Sequence, residues 1–406
     1  MSGAYNNLLD VFSPRAGLWD LAAYVVLARL VLGLKPSAMR SALFTALGLL
    51  LLTHWFWDQR AGLVISVLII FVVVHWLLLR RPRESRFAIA LPIAFPVLAL
   101  AAGDALGARA IVGFSYLSFR LAHAGYEVAV GDARSPRLLD YLAHCAFPPT
   151  LFVGPISPLS RFQSSYGQAY EQRTSAPLLR CLFRMLVGLV KVRFIAVLCR
   201  QLTFSVLWAD GHAHGPEDFA VSAFATLAWL YFNFSGFCDI VIAIAALIGI
   251  EVTENFDSPF VSRNLREFWN RWHITLGDVA RAIVFTPLSG TLGRALGERR
   301  VDFAVCISIL ATFVAIGLWH GLTLSFLLFG IAHGIGLIAV HLYDRWLKRR
   351  WGAKRRRAYL ANPWVRLAAC ALTLSYASAT MFFFDNDTSG LNRCISEFRL
   401  TPRPWQ

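Results

Sequence analysis

Residues 303–341 read FAVCISILATFVAIGLWHGLTLSFLLFGIAHGIGLIAVH: two apolar runs, 303–318 and 322–341, separated by Trp319-His320-Gly321. Each run approaches the roughly twenty apolar residues that a helix needs to cross a bilayer core. Neither contains Asp, Glu, Lys or Arg. An ionisable group between two such spans is costly unless it faces a cavity or a partner, so His320 is a candidate functional residue. Its neighbours Gly317 and Gly321 permit close approach of a substrate or another helix. A histidine hydrogen-bonded to a carbonyl for purely structural reasons fits this motif equally well.

The same apolar character extends outward over the chain. Of 406 residues, 57% are hydrophobic and only 16% charged, against about a quarter charged in soluble domains. Mean hydropathy is +0.55. Residues 18–34, 42–57, 62–79 and 87–103 form a regular helical array, the last kinked by Pro92 and Pro96. From residue 111 the pattern becomes irregular: 113–120 and 142–156 are apolar but short, and the latter holds Pro148, Pro149, Gly154 and Pro155. Such pieces suit re-entrant structure around a cavity. Residues 178–208 carry Arg180, Arg184, Lys191, Arg193 and Arg200, and read as one tilted helix or as two pieces. A second long run, 219–250, is interrupted by Asn233, Ser235, Gly236 and Asp239. After a polar, aromatic segment at 251–300 come spans at 303–318, 322–341 and 364–384. The expected fold is an all-α, polytopic integral membrane protein with about ten or eleven membrane-embedded helical segments. The expected organisation is one domain over 1–406: amino-terminal helices at 1–110, a catalytic core at 111–345, and a basic loop and last helix at 346–406.

The formal charge is +15, from 39 Lys and Arg against 24 Asp and Glu. These cations lie in short loops between spans, densest at 80–86 and 345–357, a pattern of cytoplasmic loops rather than of a nucleic-acid footprint. Cys145, Cys181, Cys199, Cys238, Cys306, Cys370 and Cys394 form no CxxC pair and read as small core residues, so no metal site is expected. The amino terminus lacks the pattern of a cleaved signal, so the first span is expected to stay in the mature protein. His54 and His75 lie near span ends and read as interfacial, and His333 reads as structural.

A second histidine ends Phe268-Trp269-Asn270-Arg271-Trp272-His273. Asn264 is placed to cap a helix here, Glu267 to complete the cap, and Glu267 and Arg271 to pair at i, i+4. At helical spacing Arg266, Trp269, Asn270 and His273 share one face, which is too polar for lipid. Asn255 and Asp257 line a tunnel or serve turn chemistry before Pro259. Asn233 and Asp239, inside an apolar run, read as helix–helix hydrogen-bonding groups.

Taken together, Tyr231 to Asp239 (YFNFSGFCD), Glu254 to Phe260 (ENFDSPF), FWNRWH and Gly317-Leu318-Trp319-His320-Gly321 resemble the membrane-bound O-acyltransferase family. The similarity is to its bacterial branch, which holds the teichoic-acid D-alanyl transfer protein and the membrane subunit of alginate O-acetylation. GFSYLSFR at 113–120 and FPPTLFVGPISPLSRF at 147–162 occur in the same order as in that branch. Residues 276–290 depart from it, with Asp278 and Arg281 only a partial echo of an aromatic, arginine-rich segment.

The resemblance implies a ring of helices around a funnel or tunnel, with His320 catalytic and His273 its partner. Asn270, Trp269, Trp319, Asn255 and Arg271 are the expected substrate-binding residues. The implied reaction takes an acyl group, D-alanyl or acetyl, from a cytoplasmic thioester to a hydroxyl of a cell-envelope glycopolymer. The donor would be an acyl carrier protein bearing phosphopantetheine, or acyl-CoA; no cofactor is expected to be permanently bound. An extracytoplasmic acyl-transfer partner and a bacterial cytoplasmic-membrane location follow from the same likeness. On chemical grounds a buried neutral imidazole is a suitable base for a hydroxyl. The alternative class is a proton-coupled transporter or export channel, which commonly shows two internal repeats. No corresponding halves are visible in this sequence.

Overall fold

The computed structural model describes residues 18–55, 61–81, 85–105, 113–151, 153–170, 178–209, 212 and 214–398. The amino terminus expected to stay uncleaved lies outside them, as do the end of the second expected span and the middle of the first basic run. Among the described residues the chain is helical, and its β-type contacts are the isolated bridges His214 with Phe398 and Phe256 with Trp272. Among the described residues, four helices are long and apolar enough to cross a membrane: Pro216–Ile248, Glu298–His320, Leu324–Arg350 and Pro363–Asp385. Other apolar segments are shorter, among them Ala38–His54, Ile65–Leu79 and Ile89–Ala102.

By internal contacts the chain divides into two compact units that interleave in sequence. Among the described residues, one comprises those within 18–190 and 234–254, the other those within 191–233 and 255–398. The first holds α1 (Leu18–Leu32), α2 (Ala38–Trp55), α3 (Ala61–Leu79), α4 (Arg86–Ala105), α5 (Phe114–Val130), α6 (Leu138–Cys145), α7 (Leu159–Gln168) and α8 (Leu178–Val190). Its interruptions are satisfied by specific side chains. Within α4, Pro96 has no N–H for the carbonyl of Pro92. His75 on α3 contacts that oxygen instead, Nε2 at 2.8 Å, while its Nδ1 lies 2.8 Å from the Tyr141 hydroxyl. His75 is therefore fully buried, and the interfacial reading of it is corrected: the freed carbonyl needs a donor where water is excluded.

Residues 113–120, expected as a short irregular piece, form the first half of the regular helix α5. Arg120 does not end the helix: its guanidinium is fully buried, and both terminal nitrogens are hydrogen-bonded. It donates to the carbonyls of His144 (2.9 Å) and Cys145 (3.3 Å), to Thr150 Oγ1 (2.8 Å) and to the Thr150 carbonyl. Those acceptors lie where α6 breaks into the Pro148–Thr150 turn, so one cation supplies donors to the proline-broken segment. Glu127 then caps α7, its carboxylate accepting from Leu159 N at 2.7 Å and Ser160 N at 3.3 Å.

The cation-rich stretch 178–208 forms two pieces, the first much the longer. Helix α8 continues through a π-turn at Lys191–Ile195 into α9 (Ala196–Arg200), and a break then leads to the single turn α10 (Phe204–Leu207). Helix α11 (Pro216–Ile248) follows, its residues 234–248 belonging to the first unit. There Arg184 of α8 pairs with Asp239 of α11 at 3.0 Å and with Glu254 at 2.6 Å. Asp239 thus acts between helices, as its depth in an apolar run suggested.

The second unit continues with α12 (Leu265–Arg271), α13 (Ile274–Ala280), α14 (Thr286–Leu296), α15 (Val301–His320), α16 (Leu324–Arg350), α17 (Ala353–Ala361), α18 (Pro363–Asp385) and α19 (Thr388–Glu397). Helices α15 and α16 form a close antiparallel pair. A Cβ on Gly317 would collide with the Phe326 carbonyl, and one on Gly330 with the Phe313 carbonyl. Small residues at these positions let the two backbones touch, as in membrane helix pairs generally.

Candidate active site

His320 is the last residue of α15, and the chain turns through Gly321 to Thr323, which caps α16 by accepting from Phe326 N at 3.4 Å. The half-buried imidazole sits in an aromatic box. Its ring centroid lies 4.5 Å from Trp319, 4.9 Å from Phe384 of α18, 5.8 Å from Phe326 and 6.2 Å from Phe329. Aromatic walls with a few polar groups are the usual lining of a small-molecule site.

His273 reaches the same place from a different element. Helix α12 starts as expected, with Asn264 Oδ1 accepting from Glu267 N at 2.9 Å. The Glu267 carboxylate returns to Arg263 N at 3.0 Å, one residue before the cap, and pairs with Arg271 at 3.0 Å. The expected continuous face does not survive, because α12 ends at Arg271. Trp272 is extended and His273 left-handed, with φ 45° and ψ 52°. The strand-like segment at Asn255 causes this. Asp257 N donates to the Arg271 carbonyl at 2.9 Å, and Ile274 N to the Asn255 carbonyl at 3.0 Å, pulling the chain out of the helix. A non-glycine residue held in this region costs about 1–3 kcal/mol and persists only where its surroundings enforce it.

Asn255 also sets the proton on His273. Its Oδ1 accepts from Thr275 N at 3.2 Å and Thr275 Oγ1 at 2.9 Å, which identifies that atom as the amide oxygen. His273 Nδ1, 3.2 Å from the same oxygen, must therefore donate, and the lone pair is left on Nε2. Burial and the nearby His320 push the His273 pKa down to about 3, so the ring is neutral at pH 7. Trp319 lies between the two histidines, its ring centroid 6.5 Å from that of His273 and 4.5 Å from that of His320.

The other expected site residues divide. Trp319 belongs to the cluster. Asn255 is fully buried and occupied by His273 and Thr275, which gives it a positioning geometry rather than a substrate-facing one. Trp269 donates from Nε1 to His333 Nδ1 at 3.2 Å, and His333 Nε2 bonds Thr380 Oγ1 at 2.9 Å. Both ring nitrogens of His333 are thus satisfied, in keeping with its structural reading. Asn270 is exposed and accepts from Arg281 at 3.3 Å. Arg271 is engaged by Glu267 and reaches the Asp257 carbonyl at 3.4 Å. Thr275 and the box residues Phe326, Phe329 and Phe384 were missed. Phe384, at the end of the last span, could have been suspected; the twenty-residue separation of Thr275 from Asn255 carries no local signal.

A family model for the membrane-bound O-acyltransferases matches residues 22–382. The chain belongs to the membrane-bound O-acyltransferase family. Among proteins similar to this acyltransferase is the teichoic acid D-alanyltransferase of Streptococcus thermophilus, 29% identical over 67% of this chain and 68% of its own length. The peptidoglycan O-acetyltransferase of Helicobacter pylori is 29% identical over 61% of this chain and 44% of its own length. A probable alginate O-acetylase of Pseudomonas aeruginosa is 30% identical over 56% of this chain. The match spans less than half of these last two relatives, 44% and 42%. The family match covers α15, α16 and the His273 loop alike, so both histidines fall within the acyltransferase region.

Proposed function

We propose that this acyltransferase moves a D-alanyl or acetyl group from a thioester donor to a hydroxyl of a cell-envelope glycopolymer, with His320 as general base. The observation that carries the reading is the convergence of His320 and His273 about Trp319 within the region matched to the family. A ring nitrogen of His320 takes the acceptor's proton as the hydroxyl oxygen bonds to the thioester carbonyl carbon, and the carbonyl electron pair moves onto oxygen. Collapse of the tetrahedral intermediate breaks the C–S bond. The leaving thiolate recovers the proton from His320, giving ester and free thiol and restoring the base. General-base help of this type contributes about 10²–10⁴-fold.

With its hydrogen committed to Asn255, neutral His273 offers an acceptor at Nε2. That suits holding the incoming hydroxyl, and not donating to the oxyanion. The donor thioester, on an acyl carrier protein or CoA, is taken to approach from the cytoplasm, and an extracytoplasmic partner to complete delivery in the bacterial cytoplasmic membrane. The test is mass spectrometry of base-released acyl groups from purified envelope polymers. Cells carry wild type, His320→Ala or His273→Ala at matched protein levels. An ester present in wild type and lost in His320→Ala supports the proposal, and its mass names the acyl group. Equal release from all three strains refutes it and makes proton-coupled flux the next assay.

A further inference from the structure

Helix α18, the last long apolar helix, ends in a carboxylate, Asp385. Its oxygens are both taken by one residue: Oδ2 accepts from Ser205 N at 2.8 Å and Oδ1 from Ser205 Oγ at 3.2 Å. Ser205 is the second residue of the single turn α10. Thr203, the residue before that turn, makes no side-chain hydrogen bond into it. The first N–H groups of a helical turn have no partners within it. Asp385, 180 residues further along the chain, therefore does what a local cap ordinarily does.

The preceding residue, Phe384, is the wall of the aromatic box that stands edge-on to His320, with centroids 4.9 Å apart and rings inclined by 79°. It also meets Phe326 at 5.5 Å and Phe329 at 5.2 Å, both on α16. Phe384 thus lies in the last turn of α18, where carbonyls lack intrahelical partners and helices fray. Asn386 Nδ2 returns to the Phe382 carbonyl at 2.9 Å, which ties the turn to itself. Asp385 ties it to α10. The apolar part of the same junction is Phe382, 5.4 Å from Phe204 and 5.6 Å from Phe219. Apolar contact is non-directional and lets rings slide, whereas two hydrogen bonds to one carboxylate fix direction as well as distance.

We propose that Asp385 is a positioning residue for the active site: by fastening the end of α18 to α10 through Ser205, it holds the Phe384 ring against His320. It acts through that ring and not on the reacting atoms. Its consequence for turnover rests on the acyl-transfer reading, whereas its effect on access to His320 does not.

The test uses the full chain in detergent, treated with diethyl pyrocarbonate, which modifies the free nitrogen of a neutral imidazole. Peptide mass spectrometry follows the rate at His320 relative to the exposed His54. Asp385→Ala releases the last turn and should raise that rate about tenfold. Phe384→Leu should raise it comparably, and the double variant should exceed Phe384→Leu by less than about twofold, because the carboxylate acts only through the ring. Asp385→Asn can give its amide oxygen to Ser205 N and its NH₂ to Ser205 Oγ, so it should stay near wild type. Acyl ester on envelope polymers, at matched protein levels, should fall in cells carrying Asp385→Ala and recover with Asp385→Asn. Ser205→Ala removes only the bond to Oδ1; it should raise the rate at His320 by a smaller factor, and it carries the test if Asp385→Ala fails to fold. The proposal is overturned if these variants leave His320 no more reactive than in wild type, or if the effect of Asp385→Ala persists in full once Phe384 is replaced by leucine. Absence of ester from wild-type cells counts against the acyl-transfer reading alone, and the reactivity of His320 still decides the role of Asp385.

Discussion

Asn255 does more for the site than its place among polar turn residues suggests. One amide oxygen accepts from both donors of Thr275 and from His273 Nδ1, in a fully buried position. Asn255→Ala leaves these donors unsatisfied, at a cost of about 1–3 kcal/mol for each buried group. It also frees the histidine to place its hydrogen on either nitrogen. The expected outcome is a lower melting temperature together with a fall in acyl transfer larger than the stability loss explains, read from initial rates on the folded fraction. His273 makes a second prediction. Its folded pKa of about 3 lies below the ordinary histidine value of 6.5, so the unfolded chain binds the extra proton first. Its neutral form favours the folded state fully above pH 6.5, and that contribution declines as the pH falls from there towards 3. His273→Gln should flatten this part of the stability-versus-pH curve, measured by thermal unfolding in detergent. An unchanged acid limb would refute the assignment of a buried neutral imidazole.

At the scale of elements, the helix interruptions are where side chains replace missing backbone partners. His75 serves the Pro92 carbonyl and Tyr141 together, so His75→Phe keeps the ring volume but strands both. It should destabilise the protein by about 1–3 kcal/mol, read as a drop in melting temperature. The α15–α16 pair depends on closeness rather than on hydrogen bonds. Gly330→Ala places a methyl group against the Phe313 carbonyl and must spread the two helices. A loss of about 1–3 kcal/mol is expected from such overpacking. Because the spread moves the end of α15, catalytic turnover should fall too. The existence and starts of these helices were legible in the sequence, since apolar run length is a local property, but α16 continues past the expected end at 341 to Arg350. The end of α12 was not: helical spacing carried the expected face to His273, while a segment starting at Asn255 pulls the chain out of the helix after Arg271.

For the whole molecule, the basic segment at 345–357 makes a prediction about orientation. Lys and Arg excess in a short connection is retained on the cytoplasmic side. Helix α17 within it presents exposed Lys354, Arg355 and Arg357. A single cysteine at position 355, on a cysteine-free background, should react with an impermeant thiol reagent in inverted membrane vesicles and be protected in intact spheroplasts. The opposite pattern would reverse the proposed donor side.

Composition, apolar run lengths and motif order were sufficient, without coordinates, to establish an all-helical membrane protein of the O-acyltransferase family and to single out His320 and His273. Those signals are local or collinear, so one chain displays them. Tertiary structure alone decided which nitrogen of His273 carries its hydrogen, that Trp269 serves His333, and that Asn270 turns to Arg281. It also divided the chain into two interleaved units, with α11 contributing to both. The physical reason is the same in each case. A buried polar group must find a partner where water is excluded, and the partner it finds is set by which segments pack together, not by spacing along the chain.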